Sequence, residues 1–254
     1  MSERDGYPHG VPCWVDLNTS DVPAGQAFYG QLFGWEWKDV GPAYTFAMLR
    51  GRKVCGIAAA DPGQAVAWTT SFAVADADAA VAAATAAGGT IEVPVREIPG
   101  QGRVAVALDP AGASFGVWQA YGHRGAELVD EPGTVVWNEL VTSDLAAAAA
   151  FYPAVLGVDI VHLDTGDTGV PYDLVKVGGR TVAGALTRLP GMAHVPPHWG
   201  VYFEVTDADA AAADAARLGA TPLSPVTPSP QGPMAAFLDP QGAAFAIIAS
   251  GSTE

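Results

Sequence analysis

The chain has 254 residues, 50% of them hydrophobic, and a formal net charge of −15 at pH 7. That much apolar material excludes an intrinsically disordered protein, and the charge excludes a binder of nucleic acid or anionic membrane, both of which need basic surface. Its 2 cysteines, Cys13 and Cys55, have no CxxC spacing and no run of about 18 apolar residues occurs, so a cytoplasmic protein without a disulfide framework or a membrane span is expected.

From Trp14 to Asn18 the sequence WVDLN alternates between Val15 and Leu17 and their more polar neighbours, the period-2 signal of a strand. Ser20-Asp21 then opens a helix of about 12 residues that stops at Gly34, with Phe28, Leu32 and Phe33 on its apolar face. Three short strands follow, at about 35–39, 44–50 and 53–60, separated by Gly and Pro. The pattern restarts with the strand WTTSFAVAD from Trp68 and the helix DADAAVAAATAAGG, then strands near 90–95, 103–108 and 114–119. A βαβββ unit therefore occurs twice before residue 120.

After the polar segment GHRGAELVDEPG both units recur. Trp14, Asp21, Phe28-Tyr29 and Gly34 reappear 123 residues later as Trp137, Asp144, Phe151-Tyr152 and Gly157. Asp109-Pro110 reappears as Asp239-Pro240 at an offset of 130, so the second copy carries seven inserted residues. Four modules in two domains are expected, the first over 1–122, a linker over 123–132 and the second over 133–254.

These ordered motifs, SD…FY…LFGW, DADAA…AAGG, LDPAGASFG and LDPQGAAFA, resemble the vicinal oxygen chelate superfamily of glyoxalase I, extradiol dioxygenases and bleomycin- and fosfomycin-resistance proteins. The stretch GQGRVAVALDPAGASFGVWQA…EPGTVVWNEL is similar to a two-domain actinobacterial glyoxalase-like subgroup. The resemblance implies an α+β fold of two tandem domains, each with paired βαβββ modules forming a cup-shaped sheet that holds a ligand. It also implies a divalent metal in the cup, held by His, Glu or Gln on four strands. The four positions fall here on Trp14, Gly56, Thr69 and Gly116 in the first half and on Trp137, Gly184, Gly200 and Ala246 in the second, none a good ligand for a divalent cation. The metal chemistry is therefore expected to be absent from both copies, with no cofactor required.

Other motifs add little. His194 and His198 are four apart, but Pro196-Pro197 between them prevents a helical pair, and His9, His123 and His162 read as isolated surface or hydrogen-bonding histidines. No phosphate-cradling GxxxxGK[ST] and no local Ser-His-Asp order is present.

Strand parity turns the ligand positions into a lining. The first cup is expected to receive Trp14, Asp16, Asn18, Thr69, Ser71, Arg103, Ser114 and Trp118, and the second Trp137, Glu139, Gly200, Tyr202, Glu204, Phe237 and Ile248. Arg103 is matched by Pro233, so a preference for anionic or carbonyl-rich ligands is expected of the first cup alone. Asp16 and Glu139 hold equivalent positions and are the candidate catalytic carboxylates. The ligand-binding candidates are Trp14, Asn18, Thr69, Ser71, Arg103, Trp118, Trp137, Tyr202 and Glu204.

The expectation is a monomeric or homodimeric protein that takes a small aromatic or carbonyl-rich molecule in a metal-free cup. One alternative is a lyase- or hydroxylase-type enzyme of the same superfamily acting through the cup carboxylates or a displaced metal site. The other is a structural or interaction protein whose cups are filled by its own side chains.

Overall fold

The structure is a computed structural model that describes residues 2–41, 43–61, 63–164, 171–188, 191 and 195–251. The first module runs β1 (Pro12–Thr19), α1 (Val22–Phe33), β2 (Glu36–Gly41), β3 (Tyr44–Leu49) and β4 (Arg52–Ala59). The second runs β5 (Ala67–Ala73), α2 (Ala77–Ala86), β6 (Thr90–Ile98), β7 (Gly102–Leu108) and β8 (Ser114–Ala120). The third and fourth follow as β9 (Val135–Thr142), α3 (Leu145–Leu156), β10 (Asp159–Leu163), β11 (Tyr172–Val177), β12 (Arg180–Thr187), and β13 (His198–Glu204), α4 (Ala208–Arg217), β14 (Thr221–Pro222), β15 (Met234–Leu238), β16 (Ala244–Ile248). These are the expected α+β units, repeated four times.

Local chemistry sets the helices. Asp21, Asp76, Asp144 and Asp207 each cap a helix by accepting a backbone N–H from its first turn, and α1 and α3 end on Gly34 and Gly157 in left-handed backbone at φ 73 and 62. The two mixed sheets share one strand order, β2-β3-β4-β1-β5-β8-β7-β6 and β10-β11-β12-β9-β13-β16-β15-β14. In each, the first strands of the two modules pair antiparallel at the centre, β1 with β5 and β9 with β13. Among the described residues no helix is long and apolar enough to cross a membrane.

The cores are shared between the domains. Phe28, Tyr29 and Phe33 of α1 pack with Phe203, Phe237, Phe245 and the alanines of α4. Phe151, Tyr152 and Val155 of α3 pack with Phe72, Phe115 and the alanines of α2. At the heart of each core the tyrosine of one domain meets the Asp-Pro aspartate of the other. Tyr29 donates to Asp239 at 2.9 Å and Tyr152 to Asp109 at 3.0 Å. Each tyrosine oxygen also accepts an indole N–H, from Trp68 at 3.0 Å and Trp199 at 2.9 Å. Both hydroxyls are pushed well above the usual tyrosine range by burial and by the facing aspartate. Asp109 and Asp239 spend their other oxygen on their own turns, accepting from Ala111 and Ala113 and from Gln241 and Ala243.

The segment joining the domains is bound down along its length. Ala126 N donates to Cys13 O at 2.8 Å, Glu127 N to Lys53 O at 2.7 Å, and Val129 N to Ser2 O at 3.0 Å. The N-terminal residues run beside it, with Tyr7 Oη donating to Ala126 O at 2.8 Å.

Tyr29→Phe strands both the Trp68 indole N–H and the Asp239 carboxylate. It is expected to cost about 1–3 kcal/mol, and Tyr152→Phe the same, because a buried partner is left unpaired. Urea denaturation checks this; unchanged midpoints in both variants would show that the paired hydroxyls do not hold the domains together.

Candidate functional site

Two related polar clusters stand on the concave faces of the sheets. In the first, Trp14 and Asp16 of β1 face the cup beside Tyr44 of β3. Trp14 Nε1 donates to Asp16 Oδ1 at 3.0 Å and to Tyr44 Oη at 2.9 Å, and Tyr44 Oη makes a short bond to Asp16 Oδ1. Gly56 of β4 lies opposite Asp16, and a Cβ there would collide with Tyr44 Oη and Asp16 Oδ1. In the second, Tyr172 Oη and Tyr202 Oη each donate to one oxygen of Glu139 at 2.7 Å, and Trp137 Nε1 donates to Tyr172 Oη at 3.3 Å. Gly184 lies opposite Glu139, and a Cβ there would collide with Tyr172 Oη. The glycines at these positions make room for a tyrosine hydroxyl.

Burial raises the Asp16 carboxyl above its ordinary range, against the lowering effect of the bonds from Tyr44 and Trp14. Burial and the charge of Glu139 push Tyr172 and Tyr202 upward, so both hydroxyls keep their protons at neutral pH and donate them to the carboxylate.

The cups differ in what covers them. In the first, the joining segment inserts His123 edge-on against Trp14 with centroids 4.4 Å apart, beside Phe46 and Trp118. His123 is 5% exposed, and neither ring nitrogen has a hydrogen-bond partner among the described residues. Trp14, Phe46, Ser71 and Trp118 are buried with it, and Trp118 Nε1 bonds His123 O at 2.8 Å. In the second cup Trp137, Glu139, Tyr172 and Tyr202 are all half-buried, and none of these aromatic rings lies against another. Its counterpart of Phe46 is Leu174, and among the described residues of its half none takes the place of His123.

Several expected positions need correction. Arg103 is on the convex face: it pairs with Gln119 across β7 and β8, and its guanidinium binds Asp78 of α2 at 2.6 Å. Its neighbour Val104 faces the cup with Trp118 instead. The carbonyl preference assigned to the first cup through Arg103 therefore loses its donor. Phe237 also lies on the convex face, stacked on Phe245 with centroids 5.6 Å apart. Glu204 is buried two residues beyond Tyr202, but it binds the Ser250 N–H and hydroxyl and stays out of the Glu139 cluster. Burial raises its carboxyl above the ordinary range. Asn18 and Thr69 face the first cup, half-buried, and Ser71 fills the space beside Gly116. His123 is neither a surface nor a hydrogen-bonded histidine, while His194 lies outside the described residues.

The metal pattern of the fold does not fit these residues. Its four positions hold indole, glycine, threonine or alanine, and the space above Gly56 and Gly184 is taken by tyrosine hydroxyls. Among the described residues no group of three or more His, Cys, Asp or Glu is placed to hold a metal ion. Cavities of about 210, 460 and 290 Å³ lie between β1 and β9 and under the N-terminal and joining segments, and neither Asp16 nor Glu139 lines them.

Burial, then the charge of Lys53, lowers the His123 pKa from 6.5 to about 4. The unfolded chain then binds the extra proton between those values, so stability is fully present above pH 6.5 and falls as pH drops toward 4. The loss is on the order of 3 kcal/mol. His123→Phe should remove that part of the slope; equal acid-side slopes in the two proteins would mean that the imidazole is not sealed in the cup.

Comparison with known proteins agrees with this fold. Residues 13–117 match the Glyoxalase/Bleomycin resistance protein/Dioxygenase superfamily, and residues 134–248 match the Glyoxalase-like domain. "Putative glyoxylase CFP32" of Mycobacterium tuberculosis is 41% identical over 258 residues, covering 98% of each chain. "Anthracycline biosynthesis protein DnrV" of Streptomyces peucetius is 37% identical over 261 residues, covering 95% of this chain and 94% of its own. A Mn(II)-bound glyoxalase from Novosphingobium aromaticivorans shares the fold with a TM-score of 0.63 at 19% identity, over 98% of this chain and 83% of that one. Homoprotocatechuate 2,3-dioxygenase from Arthrobacter globiformis does so with a TM-score of 0.66 at 16% identity, over 96% and 81%. With two tandem βαβββ-pair domains and full-length relatives of this identity, the chain belongs to the glyoxalase/bleomycin resistance protein/dioxygenase superfamily.

Proposed function

We propose that the protein binds a small, flat aromatic molecule in its second cup, without a metal ion. The supporting observation is the contrast between the cups. Glu139, Tyr172, Tyr202 and Trp137 form a polar cluster that stays half-exposed, whereas His123 packs against Trp14, Phe46 and Trp118 in the first. Unstacked indole and phenol rings around a few convergent polar atoms suit a flat organic ligand. The Streptomyces relatives named for anthracycline biosynthesis support a polycyclic aromatic compound as that ligand. The first cup is read as structural.

A second reading, a lyase- or hydroxylase-type enzyme, is supported by Asp16, since a carboxyl held above its ordinary range suits general acid or base work near neutral pH. The two readings separate on Asp16→Asn and Glu139→Gln: loss of turnover with binding kept favours the enzyme.

Native mass spectrometry of the purified protein should find an aromatic small molecule retained by wild type and released by Trp137→Ala. Retention by Trp137→Ala together with release by Trp14→Phe would move the site to the first cup. Elemental analysis should find no stoichiometric Zn, Ni, Mn or Fe, and near one tightly held ion per cup would overturn the metal-free reading.

A further inference from the structure

We propose that the second cup selects ligands that carry a protonated amine. The inference rests on the second-cup reading and adds the charge of what binds there.

Charge is the first ground. Glu139 takes its hydrogen bonds from two neutral phenols, and among the described residues no Lys, Arg or His is within ion-pair distance of it. A half-buried carboxylate satisfied by neutral donors keeps its negative charge available to a ligand, whereas an ion pair would cancel it. The direction of the bonds points the same way. Both tyrosine protons are committed to Glu139, so the atoms left facing the cup are acceptors: the Tyr202 oxygen and the remaining lone pairs of the carboxylate. A ligand offering N–H donors on a cation complements them. A carboxylate or a bare carbonyl meets only acceptors.

The rings are the second ground. Trp137, Tyr172 and Tyr202 surround Glu139, and among the described residues no other aromatic ring covers them. An electron-rich ring face beside a carboxylate is a favourable seat for an alkylammonium group.

The first half supplies an internal comparison. Its Lys53 ammonium lies 5.4 Å from the Phe46 ring centroid and 3.2 Å from the Glu127 carboxylate. The equivalent of Lys53 in the second half is Thr181 and the equivalent of Phe46 is Leu174, so the first cup's ammonium-over-ring contact is not repeated there; Lys176 stands instead at the place of Met48 and makes no ion pair with Glu139.

The test is calorimetric titration with three aromatic probes of one shape, naphthylmethylamine, naphthalenemethanol and naphthoate, at neutral pH, with the Trp137 indole N–H resonance reporting occupancy. The amine is expected to bind about tenfold or more tighter than the alcohol, the worth of a partly desolvated cation–π and carboxylate contact. Naphthoate is expected to bind weakest. Glu139→Gln should abolish the difference between amine and alcohol, and Tyr202→Phe, which leaves the carboxylate in place, should preserve it. Equal affinities for the three probes with an unaltered profile in Glu139→Gln would overturn the charge selectivity while leaving the site intact. If no probe moves the Trp137 resonance, the second-cup reading fails first and the selectivity falls with it.

Discussion

The reciprocal bond between a tyrosine on one domain's helix and the Asp-Pro aspartate of the other is the constraint on which the architecture depends. Tyr29 reaches Asp239 and Tyr152 reaches Asp109, each with an indole N–H on its far side. Parting the domains would hand this phenol, carboxylate and indole to water and expose the aromatic residues packed around them, so neither half keeps its core buried alone. The aromatic residues packed around the two bonds come from both domains. Because the helices are consumed between the sheets, the concave faces are left pointing outward. The interface thereby determines which faces of the sheets stay open.

On that common frame the two cups have diverged by few substitutions. Both keep an indole, a carboxylate, a tyrosine and a facing glycine, and in both the tyrosine hydroxyl occupies the space over the glycine. The first cup then adds Phe46, Lys53 and the imidazole of His123, which bury Trp14 and Trp118 while Asp16 and Tyr44 stay half-buried. The second has Leu174 and Thr181 in the matching places and brings in Tyr202 as a second donor to the carboxylate. A tethered imidazole without a hydrogen bond costs stability that a solvated one would not, and the cost is offset by aromatic packing against Trp14, Phe46 and Trp118.

The repeated words of the sequence made the fold legible. The alternation in WVDLN, the capping aspartates and the terminal glycines place strands and helices to within a few residues, since those signals are local. The partner of a repeated motif is not local. Nothing in FY or in LDP states that they meet across domains, because the pairing depends on how two sheets pack back to back. Parity misplaced Arg103 and Phe237 for a related reason. Strand β7 reads RVAVAL, small and apolar on both faces, so alternation there carries little contrast, and only its register with Gln119 and Trp118 decides which side is which. His123 was hidden by company: within GHRGAELVDEPG it reads as one polar residue of a solvated linker. Tyr44 and Tyr172 did leave a signal, an offset of 128 that Gly56 and Gly184 share. Cross-strand neighbours repeated at one offset are candidates for contact, and here they touch.

The same pairing explains why replacing one metal position could not restore a metal centre. A cation held in the cup would need several anionic or imidazole donors converging on one point. In each cup that point is now crossed by an O–H to carboxylate bond, and any side chain longer than hydrogen at Gly56 or Gly184 would displace the tyrosine that makes it. The carboxylates Asp16 and Glu139 have become acceptors for phenol and, in the first cup, indole donors, which stabilise a negative charge without neutralising it. In the first cup that charge lies beside Trp14, whose ring is packed by Phe46 and His123. In the second it faces a half-open surface of aromatic rings, and this difference, more than any change of fold, separates the two cups.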